Sequence, residues 1–153
     1  MDLVILAVGR LRSYYRDACD DYVRRLRRYT RVDEREVRET SGVAAAVGQR
    51  RDAAALLEQV PDGATLVALA RGGTAWTSRE LAGRLERWRD AAKPLVLVIG
   101  GSHGLGAGVL ERAGSRWSLG PLTLPHELAR VVVAEQIYRG FTILAGDRYH
   151  NGR

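Results

Sequence analysis

Cys19 is the only cysteine in the 153-residue chain. That excludes an internal disulfide framework and any multi-cysteine zinc site. The histidines, His103, His126 and His150, are scattered without ligand spacing, so no metal is expected. No apolar run approaches the roughly 18 residues of a membrane span. The start, Met1-Asp2-Leu3-Val4-Ile5-Leu6, has no basic region and too short an apolar run for a signal peptide. No membrane partner is expected, and a cytoplasmic protein is the default. There is no low-complexity block and no repeat of solenoid period. Two nucleotide motifs are also missing. Gly104-x-Gly106 needs a third glycine where Val109 stands, and it follows a late strand rather than the first βα turn. No Gly-x-x-x-x-Gly-Lys-Ser/Thr phosphate loop occurs anywhere.

What is present suits one α/β domain over residues 1–153. The composition is 46% hydrophobic, and the net charge of +6 comes mostly from arginine. That balance favours a polyanionic partner, although a merely basic surface also accounts for it. Leu3 to Val8 reads as a buried strand ended by Gly9. From Ser13, Tyr15, Ala18, Tyr22, Leu26 and Tyr29 recur at helical spacing, with aspartates early and arginines late as the helix dipole favours. Arg24, Arg25, Arg27 and Arg28 suit a solvated helix end as well as the phosphates of a polyanion. Cys19 falls inside this helix, where a small half-buried residue is expected rather than a nucleophile.

Val32 to Glu39 is a weak strand, because Val32 and Val37 fall on opposite faces. Ala44, Val47, Ala54 and Leu57 predict a second helix, stopped by Pro61-Asp62-Gly63. Ala64 to Ala70 reads as a buried strand followed by Arg71-Gly72-Gly73. Thr77 and Glu80 form a capping-box signature, with Leu81, Leu85 and Trp88 on the inner face of the helix that follows. Leu95 to Ile99 is an unbroken apolar run, long enough for a strand buried on both faces. A last helix extends to about Phe141. The alternation predicts a mainly parallel sheet flanked by helices.

The chemistry is expected between Leu95 and His150. Taken alone, Gly100-Gly101 is more often a tight turn than a cofactor floor. It gains interest from the later loop Leu119-Gly120-Pro121-Leu122-Thr123-Leu124-Pro125, whose apolar side chains and free main-chain groups suit an adenosyl moiety. His103 reads as solvated, and His126 begins the last helix in a capping or loop-supporting position. Asp147-Arg148-Tyr149-His150 is a polar cluster that folding alone does not require.

Several of these segments together resemble one family, the bacterial 23S ribosomal RNA pseudouridine N3-methyltransferases (RlmH type) of the SPOUT superfamily. The residues carrying the likeness are Ala7-Val8-Gly9, Trp76, Val98-Ile99-Gly100-Gly101, Gly104-Leu105, Trp117-Ser118-Leu119 and Leu122-Thr123-Leu124-Pro125-His126. Arg130-Val131, Ala134-Glu135-Gln136-Ile137-Tyr138-Arg139 and Tyr149-His150 complete them. The resemblance implies a SPOUT-type fold with a C-terminal trefoil knot, which sequence physics does not suggest. It implies S-adenosylmethionine held by Leu69 and Ala70, by Gly100 and Gly101, and by the stretch from Leu119 to Pro125. It implies a homodimer acting on ribosomal RNA, met on the assembled ribosome, with His150, Tyr149 and Arg139 as the catalytic residues and His150 as base. The chain departs from the family in its tail. The usual Pro-Tyr-His followed by a basic residue here reads Arg148-Tyr149-His150-Asn151, with Arg148 or Arg153 as replacement charges. The rival expectation is a non-catalytic RNA- or ribosome-binding protein that keeps the fold.

Overall fold

The computed structural model describes residues 1–151. Arg153, one of the candidate replacement charges, lies outside the described residues. The order is β1 (Asp2–Val8), α1 (Ser13–Leu26), β2 (Arg31–Val37), α2 (Ala45–Glu58), β3 (Thr65–Ala75), α3 (Ser78–Asp90), β4 (Leu95–Ile99), α4 (Ala107–Arg112), β5 (Ser115–Ser118) and α5 (His126–Ala145). A single 3-10 turn, Arg148–His150, follows α5. The strands form one sheet in the order β2-β1-β4-β3-β5, and every pairing is parallel.

Successive residues of a strand face opposite sides, so β1 serves two cores at once. Leu3, Ile5 and Ala7 pack with Cys19, Val23, Leu26, Leu81, Leu85, Val133 and Ile137 under α1, α3 and α5. Val4, Leu6 and Val8 pack with Ala53, Leu56 and Val109 under α2 and α4. Full burial of each Leu or Ile contributes about 1.5–3 kcal/mol, and all five residues of β4 are buried. The weak strand is the edge strand β2. Val32 joins the first core and Val37 the second, which is why its pattern does not alternate cleanly.

Several elements differ from the sequence reading, and β2 ends at Val37 rather than Glu39. β3 does not stop at Ala70 but runs through Arg71-Gly72-Gly73 to Ala75, because Thr74 and Ala75 pair with β5 after a register shift. A Cβ at Gly73 would sit 2.5 Å from the Arg116 carbonyl oxygen, so only glycine allows the strands to approach there. α4 and β5, of six and four residues, had no periodic signal of useful length. α5 continues to Ala145. It ends where Gly146 takes φ 71° and the Asp147 N–H reaches back to the Thr142 carbonyl, closing the helix end.

α1 buries Cys19, Val23 and Leu26, with Tyr22 and Tyr29 partly covered. This face is turned toward Cys19 from the expected Tyr15–Ala18–Tyr22 stripe. Burial raises the Cys19 thiol to about 11, consistent with a packed residue rather than a nucleophile. The capping box of α3 forms as expected: the Thr77 hydroxyl accepts the Glu80 N–H, and Glu80 accepts the Thr77 N–H. α3 approaches α5 closely enough that a Cβ at Gly140 would lie 2.5 Å from Leu85 Cδ1. α5 is thereby held between α1 and α3, with its first turn at the carboxyl ends of the strands.

Candidate active site

Two cavities open at opposite poles of the sheet. The larger, about 900 Å³, lies at the amino ends of the strands, between Leu3, Tyr29, Pro61 and Pro94. The other, about 670 Å³, lies at the carboxyl ends of β3, β4 and β5. Ligands of parallel α/β sheets bind outside the carboxyl ends, and the motif residues lie there too, so the second is the candidate site. Leu69, Ala70, Gly100, Gly101, Leu119, Gly120, Leu122, Thr123, Leu124 and Pro125 all line it. Pro121, expected with them, does not.

The structure explains the glycines differently from a simple cofactor floor. A Cβ at Gly100 would lie 2.6 Å from the Gly104 backbone, against which Gly101 and Gly104 form an isolated bridge. A Cβ at Gly101 would point away from the cavity, 2.6 Å from Glu39 Oε1 and 3.0 Å from Val8 Cγ1. Glu39 was not singled out by sequence reasoning, yet it anchors this turn. Its Oε1 accepts the Ser102 N–H at 3.0 Å and the Ser102 hydroxyl at 2.6 Å. The Ser102 hydroxyl bond holds the Glu39 carboxyl below the usual carboxylate range, with help from His126 and His103. From α2, Gln49 donates to the His103 carbonyl at 2.8 Å. The sequence placed Glu39 at the end of the weak strand; in the structure it lies two residues beyond β2.

The opposite wall is irregular. Gly120 takes φ +115°, and Ser118 Oγ both accepts its N–H and donates to its carbonyl. Leu122, Thr123 and Leu124 make no main-chain hydrogen bond to other described backbone, so their N–H and C=O groups are open to a ligand. Leu122 is 77% exposed at the lip. Buried Trp117 forms an inner wall and stacks on Trp76 at 5.6 Å. A volume within the range of small-molecule sites, apolar walls and unspent main-chain polar groups fit an adenosyl cofactor.

The tail residues gather elsewhere. Glu135 organises them, another residue whose role the sequence did not disclose. Its carboxylate accepts from Arg139 Nε at 2.9 Å, from the Tyr149 hydroxyl at 3.1 Å and from Gln136 at 2.7 Å. The Arg139 guanidinium lies 4.8 Å from the Tyr149 ring centre, and that ring meets Tyr138 edge-on at 4.7 Å. Burial, then hydrogen bonding with Tyr22 and Glu135, pushes the Tyr149 phenol up, so it is a neutral donor. Arg139 Nη1 stands 3.2 Å from His150 Nδ1. A guanidinium only donates, so Nδ1 is the acceptor and the neutral ring carries its proton on Nε2. With Nδ1 turned to Arg139, the ring presents Nε2–H outward.

None of Arg139, Tyr149 and His150 lines the cavity. His126, which does, is nine residues before Glu135 on α5. Nine residues make two and a half helical turns, so the two point to opposite faces, about 13 Å apart along the axis.

Two further motif residues meet at the end of β1. Arg130, 2% exposed, donates to the Gly9 carbonyl at 3.2 Å and pairs with Glu36 at 2.8 Å, joining Ala7-Val8-Gly9 to α5. Arg16 bridges Glu34 and Glu36 alongside it. Among the described residues no helix is long and apolar enough to cross a membrane, and no three His, Cys, Asp or Glu side chains group as a metal site.

The family described as "Predicted SPOUT methyltransferase" matches residues 1–150. The chain belongs to the SPOUT methyltransferase family. Among SPOUT relatives, "Ribosomal RNA large subunit methyltransferase H" of Rubrobacter xylanophilus is 49% identical, covering 95% of this chain and 96% of its own. The protein of the same name from Gloeobacter violaceus is 46% identical, covering 99% of this chain and 100% of its own. A solved structure, the A. aeolicus TrmH/SpoU tRNA modifying enzyme, covers 95% of this chain and 77% of its own at 14% identity and a TM-score of 0.46. That likeness is too distant to carry a function.

Proposed function

We propose that this SPOUT enzyme uses S-adenosylmethionine to methylate N3 of a pseudouridine in large-subunit ribosomal RNA, as a cytoplasmic homodimer acting on the assembled ribosome. The observation that carries this reading is the cavity at the carboxyl ends of the sheet, walled by the motif residues of a family matched along the chain. The substrate follows the name shared by the full-length relatives. The trefoil knot belongs to the same proposal. It is supported by the path of the chain from β5, past the Gly100–Gly104 turn, into α5 between α1 and α3.

In this mechanism Leu69, Leu119 and Leu124 would hold the cofactor's apolar surface, and the open main chain of Leu122 to Leu124 would supply its polar contacts. The cofactor supplies an electrophilic methyl group. Methyl transfer requires an in-line approach and removal of the N3 proton. His150, locked by Arg139 with Nε2–H outward, donates to a carbonyl oxygen of the acceptor base and stabilises charge as N3 loses its proton to water. Tyr149 and Glu135 fix that orientation.

The separation of tail and cavity in one chain supports the dimer. The outer ridge of α5 carries Leu128, Val131 and Val132, all partly exposed, between the cavity end and the Glu135 cluster. A twofold axis at this apolar stretch, with the two α5 helices antiparallel, covers it and brings each tail to its partner's cavity.

The test begins with equilibrium binding of labelled S-adenosylmethionine. Label transfer to ribosomes lacking the modification follows, and the nucleotide is identified by mass spectrometry. Transfer to a large-subunit pseudouridine is expected. Ribosome binding without transfer selects the non-catalytic alternative. The tail's departure from the family pattern is that alternative's motive, yet the Glu135–Arg139–Tyr149–His150 cluster forms without the proline.

A further inference from the structure

Tyr14 is 58% exposed, and among the large hydrophobic side chains of the described residues only Leu122 is more so. It stands in the first turn of α1, just beyond the carboxyl end of β1. Its ring centre lies 4.8 Å from that of Tyr15, tilted by 52°. The Arg12 guanidinium sits 5.3 Å from the Tyr14 ring centre and 5.5 Å from that of Tyr15.

Arg12 is fixed, although its side chain is 62% exposed. Glu127, whose side chain is 11% exposed, accepts the Arg12 main-chain N–H at 2.7 Å and Arg12 Nε at 2.9 Å. The main-chain bond from Arg12, then its guanidinium, holds the Glu127 carboxyl below the usual range, so this acceptor stays ionised at neutral pH. Both Nη groups of Arg12 have no hydrogen-bond partner among the described residues, and neither has the Tyr14 hydroxyl. Glu127 directly follows His126, a residue of the cavity wall. The chain therefore holds an exposed aromatic face and the two unspent Nη amino groups of a guanidinium beside the mouth of its candidate site.

We infer that Tyr14, braced by Arg12, is a stacking platform for an unpaired nucleobase next to the methylated residue, with the Arg12 Nη groups directed to an adjoining phosphate. This rests on the RNA reading of the cavity. Bases splayed from RNA stack on aromatic rings and guanidinium planes, and the contact tolerates any base because each has a π face. The arginine strengthens the platform by facing the rings. Its anchoring to a buried carboxylate means that little rotamer freedom is lost when RNA arrives.

The test measures binding of the full-length protein to assembled ribosomes that lack the modification. Tyr14→Ala is expected to weaken binding about tenfold, as loss of one base stack does. Tyr14→Phe and Tyr14→Trp are expected to bind like the parent, since the hydroxyl is unused. Cofactor affinity, read from equilibrium binding of labelled S-adenosylmethionine, and the sedimentation coefficient are expected to stay unchanged in all three. Parental affinity in Tyr14→Ala overturns the platform. So does dissociation of a Tyr14→Ala dimer, which assigns the ring to a second copy of the chain. A parent that binds ribosomes without transferring methyl sinks the catalytic reading while leaving the platform; a parent that binds neither ribosomes nor their RNA overturns both.

Discussion

The two ends of α5 are built from different parts. At its amino end the cavity is made of main chain: two glycine-bearing turns, an irregular loop with unpaired N–H and C=O groups, and leucine walls. At its carboxyl half the cluster is made of side chains: one carboxylate gathers an arginine, a phenol and an amide, and the arginine fixes an imidazole. Main chain recognises a cofactor by shape and cannot be deleted one residue at a time. A side-chain cluster orients a reacting group and can be dissected atom by atom. Substitutions at the first end are therefore expected to act on cofactor affinity, and those at the second on the rate of transfer.

The largest effect sharpens the tail side. His150→Ala is expected to lower single-turnover methylation on saturating ribosomes by about 10²–10³, the usual cost of losing a donor to developing charge. Cofactor affinity is expected to remain parental. His150→Gln, which keeps a side-chain donor, is expected to recover part of the rate. A Gln variant as slow as Ala, with a parental rate that rises with pH, returns His150 to the part of base. Next, the two ends can be placed on different subunits. A His150→Ala chain mixed with one whose cavity is blocked by Leu124→Arg is expected to regain about a quarter of parental activity, because half the dimers then hold one intact composite site. No recovery in confirmed mixed dimers means that each chain is complete alone.

A smaller effect tests the cavity side. Glu39→Ala releases the Ser102 anchor and is expected to weaken cofactor binding about tenfold while leaving the saturated rate unchanged. Glu39→Gln keeps an acceptor oxygen and is expected to behave nearly as the parent. The depressed Glu39 carboxyl gives a sign for acid. Its contribution is present above the ordinary carboxylate range and is lost as the pH falls through the lowered value. Gly101→Val is expected to abolish cofactor binding by displacing Glu39 and Val8, not by filling the cavity. If Gly101→Ala loses no more affinity than Glu39→Ala, and the double variant no more than either, the two act through one contact.

These two sides were legible to different degrees. The fold could be read because buried parallel strands are unbroken apolar runs, as in Leu95–Ile99, and because Thr77 and Glu80 cap a helix through local contacts. The cavity wall was legible as a motif, since irregular loops keep unusual residues such as Gly120 and Pro125. What escaped was whatever depends on partners far apart in sequence. Glu39 meets Ser102 across 63 positions, and nothing near Glu39 announces it. β5 was hidden because four residues with Ser115 and Arg116 carry no alternation. The Arg139–His150 contact, which sets the tautomer, depends on the 3-10 turn folding back on α5.

The smallest expected effect concerns how that turn is held. Where the family has proline before Tyr-His, this chain has Arg148, and the fixed geometry of the ring is gone. The chain anchors the turn from the preceding residue instead. The Tyr29 hydroxyl donates to Asp147, and Tyr29 stacks on Phe141 with ring centres 5.8 Å apart and planes 9° from parallel. The Asp147 bond raises the Tyr29 phenol from 10.0 to about 12. A raised acid contributes stability that is fully present below its unfolded value and is lost as the pH climbs through the folded one. The anchor therefore holds below about pH 10 and fails towards pH 12. Tyr29→Phe keeps the stacked ring and removes only the hydrogen bond, so it is expected to cost about 1 kcal/mol and to slow transfer a few-fold at neutral pH. It is also expected to remove the alkaline step from the melting temperature. Asp147→Asn, which leaves an acceptor for the phenol, is expected to lose less than Tyr29→Phe. A Tyr29→Phe protein that melts and reacts like the parent across this range means that Tyr149 on Glu135 alone holds the tail.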